Sequence, residues 1–379
     1  MRAKSIKGKS TAAIKDALGQ SMADGFKPTL AIVFQSVDLN REAISQMLTE
    51  QNITVFGATT HGEFTDEEPQ AGSAAILLLD MDPSYFRIFT ETFASGDYRQ
   101  AARRLAAKAR ELFPRTGYLL ATSGTATDGE QVLLGLQDVA GEDINAFGGA
   151  AGDEYLFKET FVFSNHFESN SGVVLLAIDE TKVKMAGIAT CGWKAVGTEK
   201  TVTKSEGNHV YTIENIPALD ITAKFGGIEN PTPENENLMM EIGTNFPLQL
   251  QREKGDPVMR PGLVVDWSDH SFYTSGTVPQ GSKVRFSLPP DWDVMEKVVK
   301  SVQTLKETEM PEADAVVVFS CGGRILSLGP LMAEEIEGIK NVWKVPMAGM
   351  FSNAELGRAT GGNLEMHNLT TCCVALKEL

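Results

Sequence analysis

The sequence predicts a mixed α/β protein of repeated strand-helix-strand-strand units forming two packed domains. Short apolar runs bounded by Gly, Ser and Asp read as strands, and longer segments with helical spacing lie between them. The order of these pieces recurs three times along the chain, which is the mark of an internal repeat. The 379 residues, 42% hydrophobic and 22% charged, supply enough apolar material for two or three cores.

Taken in order, the apolar runs predict strands over 30–34, 75–79, 86–91, 118–121, 173–178, 183–189, 315–319 and 371–375. Helical spacing predicts helices over 41–50, 99–112, 129–139, 217–225, 291–307 and 332–338. Of these, 99–112 and 291–307 combine length, good helix formers and an apolar stripe.

The repeat is visible in the letters. LAIVFQS (30–36) leads through a helix to VFGATTHGEF (55–64) and GSAAILLLD (72–80). GYLLATSGT (117–125) leads to INAFGGAAGDEY (144–155) and SGVVLLAID (171–179), and AVVVFSCGGR (315–324) leads to VPMAGMFSNAELG (345–357) and HNLTTCCVALKEL (367–379). Gly57, Gly148 and Gly349 precede Glu63, Asp153 and Glu355 by similar intervals. Loops at the ends of neighbouring α/β strands gather on one sheet edge, where ligands sit, so a pocket is expected there. Between the second and third units, PTPENENL (231–238), QREKGDPVMRPG (251–262) and VPQGSK (278–283) read as turns and loops. A domain change is placed at 216–230, dividing the chain into 1–222 and 223–379.

The formal charge of −16, from 34 basic and 50 acidic residues without a basic cluster, argues against nucleic acid and anionic lipid as partners. Four cysteines at 191, 321, 372 and 373 make neither a disulfide framework nor a CxxC zinc pair, which fits the reducing cytoplasm. Lys15, Asp16 and Gln20 interrupt any signal-peptide core, and no run approaches the roughly 20 apolar residues of a membrane span. GxGxxG, GxxxxGK[ST], HExxH and CxxCH are all missing, which disfavours nucleotide, zinc-protease and c-type haem chemistry.

Within the loops, GATTHGEF brings Thr59, Thr60, His61 and Glu63 together, either to bond a polar ligand or to brace a tight turn. FSCGGRI (319–325) sets Cys321 and Gly322 beside Arg324, whose fork suits a carboxylate or an internal acid. Cys321 also raises a hydrolase or transferase reading, with His367 as its base. Non-covalent haem leaves almost no sequence signature.

CGWKAVGTEKTVTKSEGNHVYTIENIPALDI (191–221), GATTHGEF and GGAAGD (148–153) resemble the FIST N-domain. FSCGGR, AGMFSNAELG (348–357) and HNLTT (367–371) resemble the FIST C-domain, in family order. The chain departs from the family pattern at His61, Ala195 and Ala354. The resemblance implies a non-catalytic sensor of small ligands such as amino acids, signalling through a separate histidine kinase, chemoreceptor or cyclase. It also implies an alternative, since some stand-alone members are haem proteins that sense nitric oxide and regulate a histidine kinase. The expected ligand residues are Thr59, Thr60, His61, Glu63, Ser123, Gly149, Asp153, Cys321, Gly322, Arg324, Glu355 and Asn368, with Arg324 holding charge.

Overall fold

The computed structural model describes residues 1–379 apart from 67, 68, 70, 95, 125, 126, 236 and 237. Thr125, the last residue of the 117–125 segment, and residues 236–237 of the 231–238 stretch therefore lie outside the described residues.

The expected mixed α/β class is what the chain adopts, with parallel and antiparallel pairs in each of three related sheets. The repeat is longer than the letters suggest. In the first unit a strand Arg2–Gly8 and a helix Thr11–Met22 precede Leu30–Gln35, helix Arg41–Glu50, Thr54–Thr59, Glu63–Thr65 and Ala74–Asp80. Arg2–Gly8 is a sheet edge whose only buried residue is Ile6, so it carries little apolar signal. Ser10 starts the following helix by accepting the Ala13 N–H at 3.2 Å.

The second unit runs Phe86–Thr92, helix Tyr98–Leu112, Thr116–Thr122, helix Gly129–Ala140, Ala146–Ala150, Val162–Ser164 and Gly172–Asp179. The third runs Val183–Thr190, helix Trp292–Thr308, Ala315–Cys321, helices Gly322–Leu328 and Leu331–Trp343, Met347–Ser352, Glu355–Arg358 and Thr371–Glu378. Every predicted strand and helix matches one of these elements, except that the helix predicted over 291–307 begins one residue later, after its Asp291 cap, the last-predicted helix extends to Trp343, and 217–225 belongs to the insertion described below.

Each unit gives one short strand to its neighbour. Glu63–Thr65 pairs with Met347–Ser352, Val162–Ser164 with Thr54–Thr59, and Glu355–Arg358 with Ala146–Ala150. Phe64 thereby lies opposite Gly349, Phe163 opposite Gly57 and Leu356 opposite Gly148. A Cβ on Gly57 would lie 2.2 Å from the Phe163 ring, and one on Gly349 2.3 Å from the Phe64 ring. These repeated glycines make room for a neighbour's strand and its aromatic ring.

The seam closes in a ring of backbone hydrogen bonds. The N–H groups of His61, Gly152 and Asn353 donate to the carbonyls of Phe351, Thr59 and Ala150, each at 2.9 Å. Those three residues in turn donate to Gly62, Phe161 and Ala354 at 2.8, 2.9 and 2.8 Å. Beneath the ring, Phe34, Phe56, Leu119, Phe147, Phe319 and Met350 from all three sheets share one core. With helices covering the outer faces, the central strands are buried on both sides and read as unbroken apolar runs.

Between Thr190 and helix Trp292–Thr308, where segments 231–238, 251–262 and 278–283 are expected to be turns and loops, the described residues form an 8-stranded antiparallel sheet with two short helices, inserted in the third unit. It has its own core around Val202, Leu219, Ile242, Phe272 and Phe286. Most of its strands span three to five residues between Gly and Pro, too short to show a period. The 222/223 division falls inside helix Ala218–Phe225, and the body's sheets cross it: Val183–Thr190 pairs with Thr371–Glu378.

Candidate functional site

The three glycine-rich loops converge as expected, at the centre of the seam. His61, Gly152 and Asn353 stand four residues past Gly57, Gly148 and Gly349. The His61 Nδ1 accepts the Tyr155 N–H at 2.9 Å, which places the ring proton on Nε2, 2.8 Å from Asn353 Oδ1. Asn353 Nδ2 donates to the Ala151 carbonyl at 2.6 Å. The second loop is longer than the other two, and its extra residues fold over this centre. Glu154, Tyr155 and Phe157 all have positive φ, a conformation that L residues adopt only when their surroundings hold them there. Asp153 does the holding by accepting the N–H groups of Phe157, Lys158 and Glu159 at 3.0, 2.6 and 3.2 Å. The Tyr155 ring stacks on His61 at 4.3 Å and its hydroxyl donates to the Gly322 carbonyl at 2.9 Å.

The other expected residues are likewise buried and engaged. Thr60 donates to Glu63 at 2.6 Å, and Glu63 also accepts the Ser73 N–H at 2.6 Å. The third unit repeats this brace: Ser352 donates to Glu355 at 2.8 Å, which also accepts the Thr370 N–H at 3.3 Å. In the second unit that strand position is Val162, so Asp153 is not the counterpart of the two glutamates. Burial raises Glu63 to about 7 and carries Glu355 well above the usual carboxylate range. Thr59 Oγ accepts the Phe161 N–H at 2.9 Å and Ser123 Oγ the Gly172 N–H at 3.0 Å. Gly149 lies against Phe319, and the Asn368 Oδ1 accepts from Arg260 at 3.4 Å.

Arg324 is fully buried in an ion pair with Glu335, donates to the carbonyls of Cys191 and Leu369 at 2.8 and 2.9 Å, and lies 5.1 Å from the Trp193 ring centre. Burial first, and then the Glu355 carboxylate, push the Cys321 thiol up, away from the thiolate a nucleophile needs. His367, its expected base, is held to the Gly357 carbonyl at 3.2 Å and pushed down to about 3 by burial and by Arg260.

Open volume lies elsewhere, in a cleft of about 510 Å³ where the inserted sheet meets the body. Its floor is Phe147 and Ile188; Lys297 and Lys300 stand on helix Trp292–Thr308, and Asp256 comes from the insertion. Gly192 turns the chain at φ +83 where a Cβ would lie 2.3 Å from the Val294 carbonyl. This fixes the Cys191-Gly192-Trp193 corner against the helix. Trp193 lines the cleft, and its indole N–H has no hydrogen-bond partner among the described residues. Lys300 makes no ion pair among them either, while Lys297 acts electrostatically on Asp256, whose carboxyl burial raises. Trp193 lies within the 191–221 segment that carries the family resemblance, whereas Asp256 and the lysines lie far from it in the chain and match no motif.

Family models match the chain as a FIST N domain over residues 29–216 and a FIST C domain over 218–358. The chain belongs to the FIST family. FIST domains are signal-transduction sensor domains, and this chain carries both halves. No curated protein matches it. Among the described residues of this FIST protein, no helix is long and apolar enough to cross a membrane.

The haem carried by some family members finds no fit here. Both ring nitrogens of His61 are engaged, His367 is bonded and fully enclosed, and His166 stands exposed on a hairpin turn. His209 is flanked by Tyr211 and Tyr273, and the cavity beside His270 is lined by Asp220, Lys224, Glu229 and Asn230. None offers the apolar slot that a porphyrin requires.

Proposed function

We propose that this FIST protein is a non-catalytic cytoplasmic sensor that binds a small amino acid or related carboxylate in the cleft between the inserted sheet and the body. The observation that carries this reading is the cleft's paired chemistry: lysines 297 and 300 for a carboxylate and Asp256 for an ammonium. The cleft is walled by the body and by an insertion with a core of its own, so a ligand that prefers one spacing of these walls shifts their equilibrium by its differential affinity, although Trp193 and Met259 tie the insertion into the body's core. The change passes to a separate histidine kinase, chemoreceptor or cyclase. In this reading the glycine-rich loops form the rigid reference against which the insertion moves.

Thermal-shift screening with amino acids and dicarboxylates tests it. A true ligand at a hundredfold excess over Kd stabilises by about 2.7 kcal/mol, and Asp256→Asn and Lys300→Ala reduce the shift. A panel without a stabilising ligand, or undiminished binding by both variants, overturns it.

A further inference from the structure

We propose that His209, Asp266 and Asp269 form a binding site for a divalent transition metal of the zinc class on the outer part of the inserted sheet. The three residues come from separate segments. His209 opens strand His209–Ile213, Asp266 closes strand Gly262–Asp266, and Asp269 lies in the turn leading to strand Ser271–Thr274. Strand pairing sets His209 opposite Tyr273, and Asp266 opposite Ser271, so this corner gathers one ligand atom from each residue within 4.8 Å of one another.

The imidazole is pre-positioned. His209 is 9% exposed, and its ring packs at 4.0 Å against both Tyr211 and Tyr273. One ring nitrogen, Nε2, lies 2.6 Å from the Ser271 hydroxyl, while Nδ1 has no hydrogen-bond partner among the described residues. With the Nε2–H donated to the Ser271 hydroxyl, Nδ1 carries the lone pair that a metal needs, the usual outer-shell arrangement of a ligating histidine.

The carboxylates are poised in the same way. Asp266 Oδ1 accepts the Ser268 N–H and hydroxyl at 3.0 and 2.6 Å, and Asp269 Oδ1 accepts the Ser271 N–H at 3.0 Å. The second oxygen of each has no hydrogen-bond partner, and neither residue makes an ion pair, among the described residues. Two anionic oxygens and an imidazole make a borderline donor set that suits zinc, cobalt or manganese better than calcium, with the remaining positions left to water. A bound ion would fasten the 266–271 turn to strand His209–Ile213.

Chelator-treated protein titrated with cobalt(II) chloride, followed by its visible absorption and by zinc competition in calorimetry, tests the assignment. One equivalent is expected to bind, with His209→Gln abolishing the cobalt spectrum and Asp269→Asn weakening binding by about 10–100-fold. Asp269→Asn keeps an oxygen to accept the Ser271 N–H, so it decides the question even if the histidine variant fails to fold. No cobalt spectrum at millimolar metal, or affinity unchanged in Asp269→Asn, overturns the site.

Discussion

At the scale of single residues, Glu63 and Arg324 show how burial turns chemical groups into structural ones. Glu63 has its folded pKa raised to about 7 from an ordinary 4.5, so the folded protein holds a proton that the unfolded chain has released. This group's contribution is therefore most favourable below pH 4.5 and declines as pH rises to 7, by about 3 kcal/mol across that window. Glu63→Gln is expected to flatten that part of a plot of stability against pH, measured by urea unfolding; an unchanged slope between pH 5 and 7 refutes it. His61 acts with the opposite sign, since burial lowers its pKa from 6.5 and stability is lost as pH falls through the lowered value. Arg324→Ala strands Glu335 as an uncompensated buried charge and is expected to cost about 3–5 kcal/mol in chemical denaturation. Arg324→Ala with near wild-type stability would show that the pair is not the brace described.

At the scale of elements, the exchanged strands depend on glycine. Gly57→Ala places a methyl in the Phe163 ring and is expected to destabilise by about 1–3 kcal/mol, the usual cost of overpacking. Combining it with Phe163→Leu should cost less than the sum of the two single changes, as residues in direct contact do. Strict additivity in thermal denaturation would mean that the two do not meet. The same elements mark what the letters disclose. Strands such as Leu30–Gln35 and Ala315–Cys321 are buried on both faces, so their apolar runs were legible. Edge strand Arg2–Gly8 and the short strands of the insertion were not, because exposed or three-residue strands impose no period. The convergence of the three loops was legible from their glycines. That Glu63 and Glu355 turn inward, while open volume lies beside Trp193, depends on which unit receives each strand, a long-range fact that local sequence does not encode.

For the whole molecule, the cyclic exchange decides where the chain divides. A fragment of residues 1–222 retains Glu63–Thr65 and Val183–Thr190 but loses their partners Met347–Ser352 and Thr371–Glu378. It is expected to lack cooperative unfolding by circular dichroism; a sharp two-state transition would contradict the interleaving. Closure also governs how such a protein can change over evolutionary time. A solenoid adds or sheds repeats at its ends, because each repeat touches only its neighbours. Here every unit is both donor and recipient, so removing one leaves a strand homeless in one sheet and a vacant edge in another, and a fourth has nowhere to enter. Novelty must then arrive between strands, as the extended Tyr155 loop and the inserted sheet do, and the inserted sheet walls the cleft where sensing is proposed. The ring is thus a fixed chassis, and the family's freedom to acquire new ligands resides in what hangs from it.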